Sequence, residues 1–438
     1  MRSIKLAILG LGTVGAGTVK LLQENLTEIK RRTGCDIEIT HVGTRRDRPD
    51  LNLEGVKQSS DLLEIVRQPD VDIVIEVIGG IDFAEELMVE AIKHGKHIVT
   101  ANKALIAEKG NELFALADKA GVFIAYEAAV AGGIPIIKVM RESLAANQIE
   151  RLAGIINGTG NFILSEMQSG ASFETALAQA QELGYAEADP TFDVQGIDAA
   201  HKLTILASIA FGIPLQFDKV FCEGIDIIQQ ADVEYARELG FSIKHLGLAI
   251  RQTGQEQNKI ELRVHPTLIP THRLITHVSG VKNAVMVKSD ALGNSMYYGA
   301  GAGAGPTASA IVADVMDLVR ALANPGAANQ LVPHLAFQPD QISELPIADI
   351  SEVISAYYLR LTTIDELGVL TRVTRILSDH GINIESIIQK RTQNNQAVPI
   401  IITTQRVLES KIDAAIRALE SLEAVNTPIV RLRIEELN

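Results

Sequence analysis

Cysteine is almost missing. Cys35 and Cys222 are the only two in 438 residues, too few for a disulfide framework or a thiolate metal site. That scarcity fits a reducing compartment and a cytoplasmic location. Long hydrophobic runs are missing as well: no uninterrupted apolar stretch reaches the ~18 residues of a membrane span. The N-terminus lacks the charged and apolar regions of a signal peptide. It opens with Ile4-Lys5-Leu6-Ala7-Ile8-Leu9, which reads as a strand. No run of Lys or Arg interrupts a chain with 40 basic and 54 acidic residues, net −14. Such a body repels phosphate backbones and argues against a nucleic-acid partner. Aromatic residues are only 4% of the chain, but 47% is apolar, so sizeable aliphatic cores are expected. The length suggests about three domains.

Through the first third, short aliphatic runs alternate with amphipathic stretches. Strands are predicted at 6–9, 37–42, 71–77, 97–100 and 122–126. Helical patterns follow the first strand through Leu22 and cover 111–120. This alternation is that of an α/β fold, a parallel sheet with helices on both faces. After Ala131-Gly132-Gly133-Ile134-Pro135 the texture changes. Helices are predicted at 136–144, 161–169, 172–183 and 198–211, and strands at 149–155, 249–252, 260–264 and 284–288. An amphipathic helix at 307–323 follows these strands and is free to return to the first domain. Residues 324–351 carry the Pro, Gly, Asn and Gln of a linker. From 356 to 436 the order is βαββαβ, that of a small ferredoxin-like module.

Two segments carry chemistry. Gly10-Leu11-Gly12-Thr13-Val14-Gly15 is G-x-G-x-x-G, directly after a strand and opening a helix. The glycines allow a tight turn and close approach of a pyrophosphate, whose charge sits at the helix N-terminus. A NAD-preferring site places an acid near the end of the second strand, for the ribose 2′-hydroxyl. Here Val42-Gly43-Thr44 runs into Arg45-Arg46, with no acid before Asp47, which favours NADP(H) and leaves NAD(H) open. The second segment, Gly184 to Lys202, packs Glu187, Asp189, Asp193, Asp198 and Lys202 between turns fixed by Pro190 and Gly196. Asp198 and Lys202 are at i, i+4, so both project from one helix face. An ordinary ion pair has the same spacing. The apolar run 203–210 instead suggests a buried or cleft-facing helix end, where a lysine can move a proton if desolvation offsets its carboxylate neighbour.

At these residues the chain resembles homoserine dehydrogenases of the longer type, with a C-terminal ACT domain. The family signature of Gly-aromatic, Asp-Pro, Asp, Gly-x-Asp and Lys is matched from Ala180 to Lys202. Thr100-Ala101-Asn102-Lys103, Ile155 to Asn161 and the Gly-rich stretch Gly299 to Thr307 agree with it too. The resemblance covers about residues 1–330, and the tail separately resembles an ACT module. It implies reversible reduction of L-aspartate 4-semialdehyde to L-homoserine, feeding threonine, methionine and isoleucine synthesis. It makes Lys202 the general acid/base and gives Glu187 and Asp198 to the substrate. Lys103 would lie near nicotinamide and substrate. Gly184 and Gly303 would line the cofactor pocket with Gly10, Leu11, Gly12, Thr13, Val14, Gly15 and Arg45. A sodium site, largely of backbone carbonyls, would use Glu127, Val130, Gly132 and Ile134. The expected partition is a Rossmann domain at 1–132 plus the helix 307–323, and an α+β substrate and dimerisation domain at 133–306. A linker at 324–354 and an ACT domain at 355–438 complete it. A homodimer or higher homo-oligomer is expected, with L-threonine as the leading effector.

Several alternatives stand beside this reading. An aldehyde-acylating dehydrogenase needs a catalytic cysteine, and Cys35 has no matched base nearby. Rossmann-plus-ACT enzymes acting on 2-hydroxy acids centre on Arg, Glu and His, where this chain has Lys202. A catalytically silent amino-acid sensor would have no use for the 180–202 signature. In the tail, Leu367 precedes Gly368 where the family usually has proline, which bears on how an effector binds. His94, His97, His272 and His277 lack the company of a transition-metal site. No kinase-sized segment precedes the first strand, so a fusion with aspartate kinase is not expected.

Overall fold

The computed structural model describes residues 3–253, 258–323, 331–390 and 398–438. Residues 324–330 of the expected linker lie outside them. The chain forms two compact units, one of Met1–Leu152, Asp198–Val220 and Lys282–Leu345, the other of Ala153–Ile197, Phe221–Val281 and Pro346–Asn438.

The first unit is built on six parallel strands, β1 (Ser3–Leu9), β2 (Asp36–Gly43), β3 (Lys57–Ser59), β4 (Ile73–Glu76), β5 (His97–Thr100) and β6 (Ile124–Ala125). Their order is β3-β2-β1-β4-β5-β6. Ligands of such sheets bind beyond the carboxyl ends of the strands, where the order reverses; here that point is between β1 and β4. The helices α1 (Thr13–Glu24), α2 (Leu26–Thr33), α3 (Leu62–Val66), α4 (Asp82–Lys93) and α5 (Lys103–Ala120) connect them. The long helix Ala304–Ala323 also belongs to this unit and buries Ile311, Val315, Leu318 and Val319 against Val19 and Leu22 of α1. Gly17 makes the contact possible, since a Cβ there would meet the Ala304 carbonyl oxygen at 2.8 Å.

Residues 331–345 pack within this unit rather than hang as a tether. The buried His334 ring stacks on Phe114 and Phe123, with centroids 4.6 and 4.3 Å apart, and the Ile124 N–H donates to its Nε2 at 3.1 Å. One histidine thus gives order to a stretch whose composition alone reads as linker.

In the second unit a long hairpin, Phe241–Thr253 and Asn258–Pro270, is far longer than the strands expected at 249–252 and 260–264. The C-terminal module follows the expected βαββαβ order. Its four main strands, Ile354–Thr363, Ile384–Gln389, Val398–Thr404 and Val425–Ile434, make an antiparallel sheet. Side chains alternate across that sheet. Tyr357, Leu359 and Leu361 face the module's own helices, Val369–Asp379 and Glu409–Glu420. Tyr358, Ile401, Val430 and Leu432 face the other way, into a core with Ile163, Leu164, Met167 and Val233. The last strand also pairs in parallel with the long hairpin, Thr267 opposite Arg433 and Leu268 opposite Ile434. Both faces and one edge of the module's sheet are therefore covered inside its own unit.

Candidate active site

The nucleotide end follows from register. Leu9, Glu76 and Thr100 lie side by side on β1, β4 and β5, so the loops after them leave the same edge of the sheet. The first is the glycine loop. Gly10 takes φ +101°, and a Cβ on it would meet the Val77 carbonyl oxygen at 2.9 Å. A Cβ on Gly15 would sit 1.9 Å from the Gly10 oxygen, so only glycine closes this strand-to-helix turn. Gly12 stands at the N-cap of α1 with no side-chain cap and no neighbour within 4 Å of where its Cβ would be. Thr13 is exposed and Val14 half-buried beside it, while Leu11 is buried. An uncapped helix N-terminus behind a glycine-rich loop fits a dinucleotide pyrophosphate. Arg45 is exposed just past β2. Arg48, which sequence reasoning missed, hydrogen-bonds the Leu11 carbonyl while Asp50 holds its Nε and Nη2 at 2.8 Å.

A second constellation lies in the same unit. Asn102 caps α5 by accepting the Leu105 N–H at 3.2 Å, which makes Lys103 the first helical residue. The helix Ile197–Phe211 is buried along almost its whole length and carries Asp198 and Lys202 on its first turns. The expected i, i+4 pair forms: Lys202 Nζ donates to Asp198 Oδ2 at 2.6 Å. Lys103 Nζ lies 3.1 Å from the other oxygen, Oδ1. Asp198 and Lys202 are buried, and Lys103 keeps about a third of its side chain exposed. One carboxylate therefore orients two ammonium groups brought from positions 103 and 202. His201 sits beside them, stacked on Phe217 at 4.1 Å and bonded through Nε2 to Glu108 Oε1 at 3.1 Å. Burial pulls its pKa down.

The other predicted positions are spread over both units. Gly303 precedes the helix Ala304–Ala323 with φ +120°, brought beside α1 by the contact at Gly17. Gly184, at φ +73°, and Glu187 belong to the second unit and are exposed. In that unit Asn157 caps its helix through Gly160 N at 2.7 Å and donates Nδ2 to Asp193 Oδ1 at 2.7 Å. The loop of Glu127, Val130, Gly132 and Ile134 is buried, with Ala131 and Gly132 at φ +54° and +49°. A Cβ on Gly132 would meet the Gly301 oxygen at 2.5 Å. The Glu127 carboxylate accepts from Ile137 N at 2.9 Å and Lys138 N at 2.8 Å; burial, reinforced by Asp314, pushes its pKa up to about 8. Among the described residues no group of three His, Cys, Asp or Glu could hold a metal ion.

A doubly wound sheet with a glycine loop at an uncapped helix N-terminus, and a lysine–carboxylate–lysine chain in the same unit, fit a nicotinamide-dependent oxidoreductase. Residues 10–127 match the model of the homoserine dehydrogenase NAD-binding domain, residues 135–316 that of homoserine dehydrogenase, and residues 357–424 that of the ACT domain. A homoserine dehydrogenase of Pseudomonas aeruginosa is 57% identical over 440 residues, covering 100% of both chains. The crystal structure of a homoserine dehydrogenase from Thiobacillus denitrificans is 52% identical with a TM-score of 0.94, covering 100% of this chain and 99% of that one. A hyperthermophilic archaeal homoserine dehydrogenase in complex with NADPH is 26% identical with a TM-score of 0.61, covering 72% of this chain and 97% of that one. The chain belongs to the homoserine dehydrogenase family. No helix among the described residues is long and apolar enough to cross a membrane.

Proposed function

We propose that this chain interconverts L-aspartate 4-semialdehyde and L-homoserine with NADP(H) as the preferred cofactor, in the cytoplasm, on the route to threonine, methionine and isoleucine. The observation that carries this is the Lys103–Asp198–Lys202 chain. The nicotinamide, when bound, supplies the hydride. Reduction of an aldehyde leaves negative charge on its oxygen, and the Lys202 ammonium stabilises that charge and gives up the proton that quenches it. In the reverse direction neutral Lys202 takes the proton from the hydroxyl. Asp198 aims both lysines and supplies carboxylate character for the substrate's ammonium and hydroxyl. Lys103 adds a second positive charge close to nicotinamide and substrate.

The cofactor would sit with its pyrophosphate on the N-terminus of α1, against Gly10, Leu11, Gly12, Thr13, Val14 and Gly15, with Gly303 further along the pocket. Arg45 takes the 2′-phosphate. Its exposed guanidinium, set against an Arg48 occupied by Asp50 and Leu11, supports that division of labour, as does the NADPH bound by the archaeal relative. A sodium ion on the Glu127, Val130, Gly132 and Ile134 loop would be held by backbone carbonyls, because the Glu127 carboxylate is already used by two N–H donors. The ACT module binds an amino-acid effector, L-threonine in this reading, and the chain works as a homodimer. The test is direct: purified protein should oxidise NADPH on addition of L-aspartate 4-semialdehyde, and added threonine should slow it. No oxidation with that aldehyde would overturn the substrate assignment.

A further inference from the structure

We propose that Glu76 is a positioning residue for the reaction, holding the turn that presents Lys103. β4 is otherwise aliphatic, Ile73-Val74-Ile75, and its last residue is a carboxylate with no exposed surface at all. Burying a carboxylate is costly unless donors satisfy it. Those around Glu76 are neutral and come from the loop after β4 and the end of β5. Ile78 N donates to Oε1 at 2.9 Å and Thr100 Oγ1 to Oε2 at 2.6 Å. Burial pushes the Glu76 pKa upward against these donors.

The bonds continue outward. Asn102 N donates to Thr100 Oγ1 at 3.0 Å, and Asn102 Nδ2 reaches the Gly80 carbonyl at 2.6 Å. Its Oδ1 caps the helix whose first residue is Lys103. Glu76 thus ties the loop after β4 to the loop after β5, and the second loop delivers Lys103 to Asp198. A valine in its place would continue the aliphatic strand but leave Ile78 N and Thr100 Oγ1 without their acceptor. The inference rests on the reading of Lys103 as a residue of the reaction site.

Glu76→Gln in the full chain tests it. The amide keeps one acceptor oxygen and turns an NH₂ toward the donors. Turnover at saturating NADPH and aldehyde should fall ~10-fold or more, while the Kd for NADPH, from fluorescence titration, should move by less than about 3-fold. In a Lys103→Ala background the same change should cost less than about 2-fold, because effects that pass through one residue are not additive. Should Glu76→Gln fail to fold, Thr100→Val carries the test, with Thr100→Ser restoring turnover. Equal losses in both backgrounds, a Kd rise as large as the turnover loss, or wild-type turnover would overturn the proposal. Undiminished turnover in Lys103→Ala alone would remove the reading of Lys103 and the proposal with it. A slow Lys103→Ala beside a normal Glu76→Gln would remove the proposal only.

Discussion

Asp232 fastens the ACT module to the rest of its unit. It is the third residue of the helix Gln230–Glu238, where its side chain accepts the Gln229 N–H at 2.9 Å in a capping box. The same carboxylate accepts from Tyr358 Oη at 2.9 Å and from Arg360 Nε and Nη2 at 2.7 and 3.1 Å. It has no exposed surface, and Arg360 is itself buried. Asp232→Asn is nearly isosteric but leaves the guanidinium buried without its counter-charge, a loss of about 3–5 kcal/mol. For a unit of this size each kcal/mol is about 2–4 °C in Tm. The expected drop is therefore about 6–20 °C, read by circular dichroism. Removing both charges, Asp232→Asn with Arg360→Met, should recover a large part of it, since a buried pair replaced by apolar groups is often close to neutral. A single variant within about 2 °C of wild type, or a double variant no better than the single, would refute the view that this pair fastens the module.

Two further outcomes are expected. Arg45→Ala should raise KM for NADPH and spare that for NADH; equal effects on both would remove Arg45 from the 2′-phosphate. His245 is buried, and burial pulls its pKa to about 4. Between about pH 6.5 and 4 the unfolded chain then takes up the proton before the folded one, so stability falls as pH drops through that window, by up to about 3 kcal/mol. Tm measured across it should fall less steeply in His245→Asn, and parallel slopes would contradict this.

How much of this was legible in the sequence depends on distance along the chain. The strand, glycine loop and helix of the nucleotide end are local, and so is the Asp198–Lys202 spacing; both appear as read. Lys103 is 95 residues from Asp198, and only the family resemblance pointed to it. Glu76 is hidden for a different reason: an acid closing an aliphatic strand looks like the start of a solvated loop, and its burial depends on donors from Thr100 and beyond. Arg48 sits among Arg45, Arg46 and Asp47, where composition cannot say which guanidinium turns back to the Leu11 carbonyl. The module's strands alternate as expected, but alternation says only that both faces differ. That Tyr358 and Leu432 would face Met167 and Val233 required the tertiary structure.

In the proposed reaction Lys202 moves the proton at the substrate oxygen. The measurement closest to it compares wild type and Lys202→Ala for NADPH oxidation with L-aspartate 4-semialdehyde, beside NADPH binding by fluorescence titration. Loss of a general acid predicts turnover lower by ~10²-fold or more with cofactor affinity nearly unchanged. Near-normal turnover in Lys202→Ala would contradict the account.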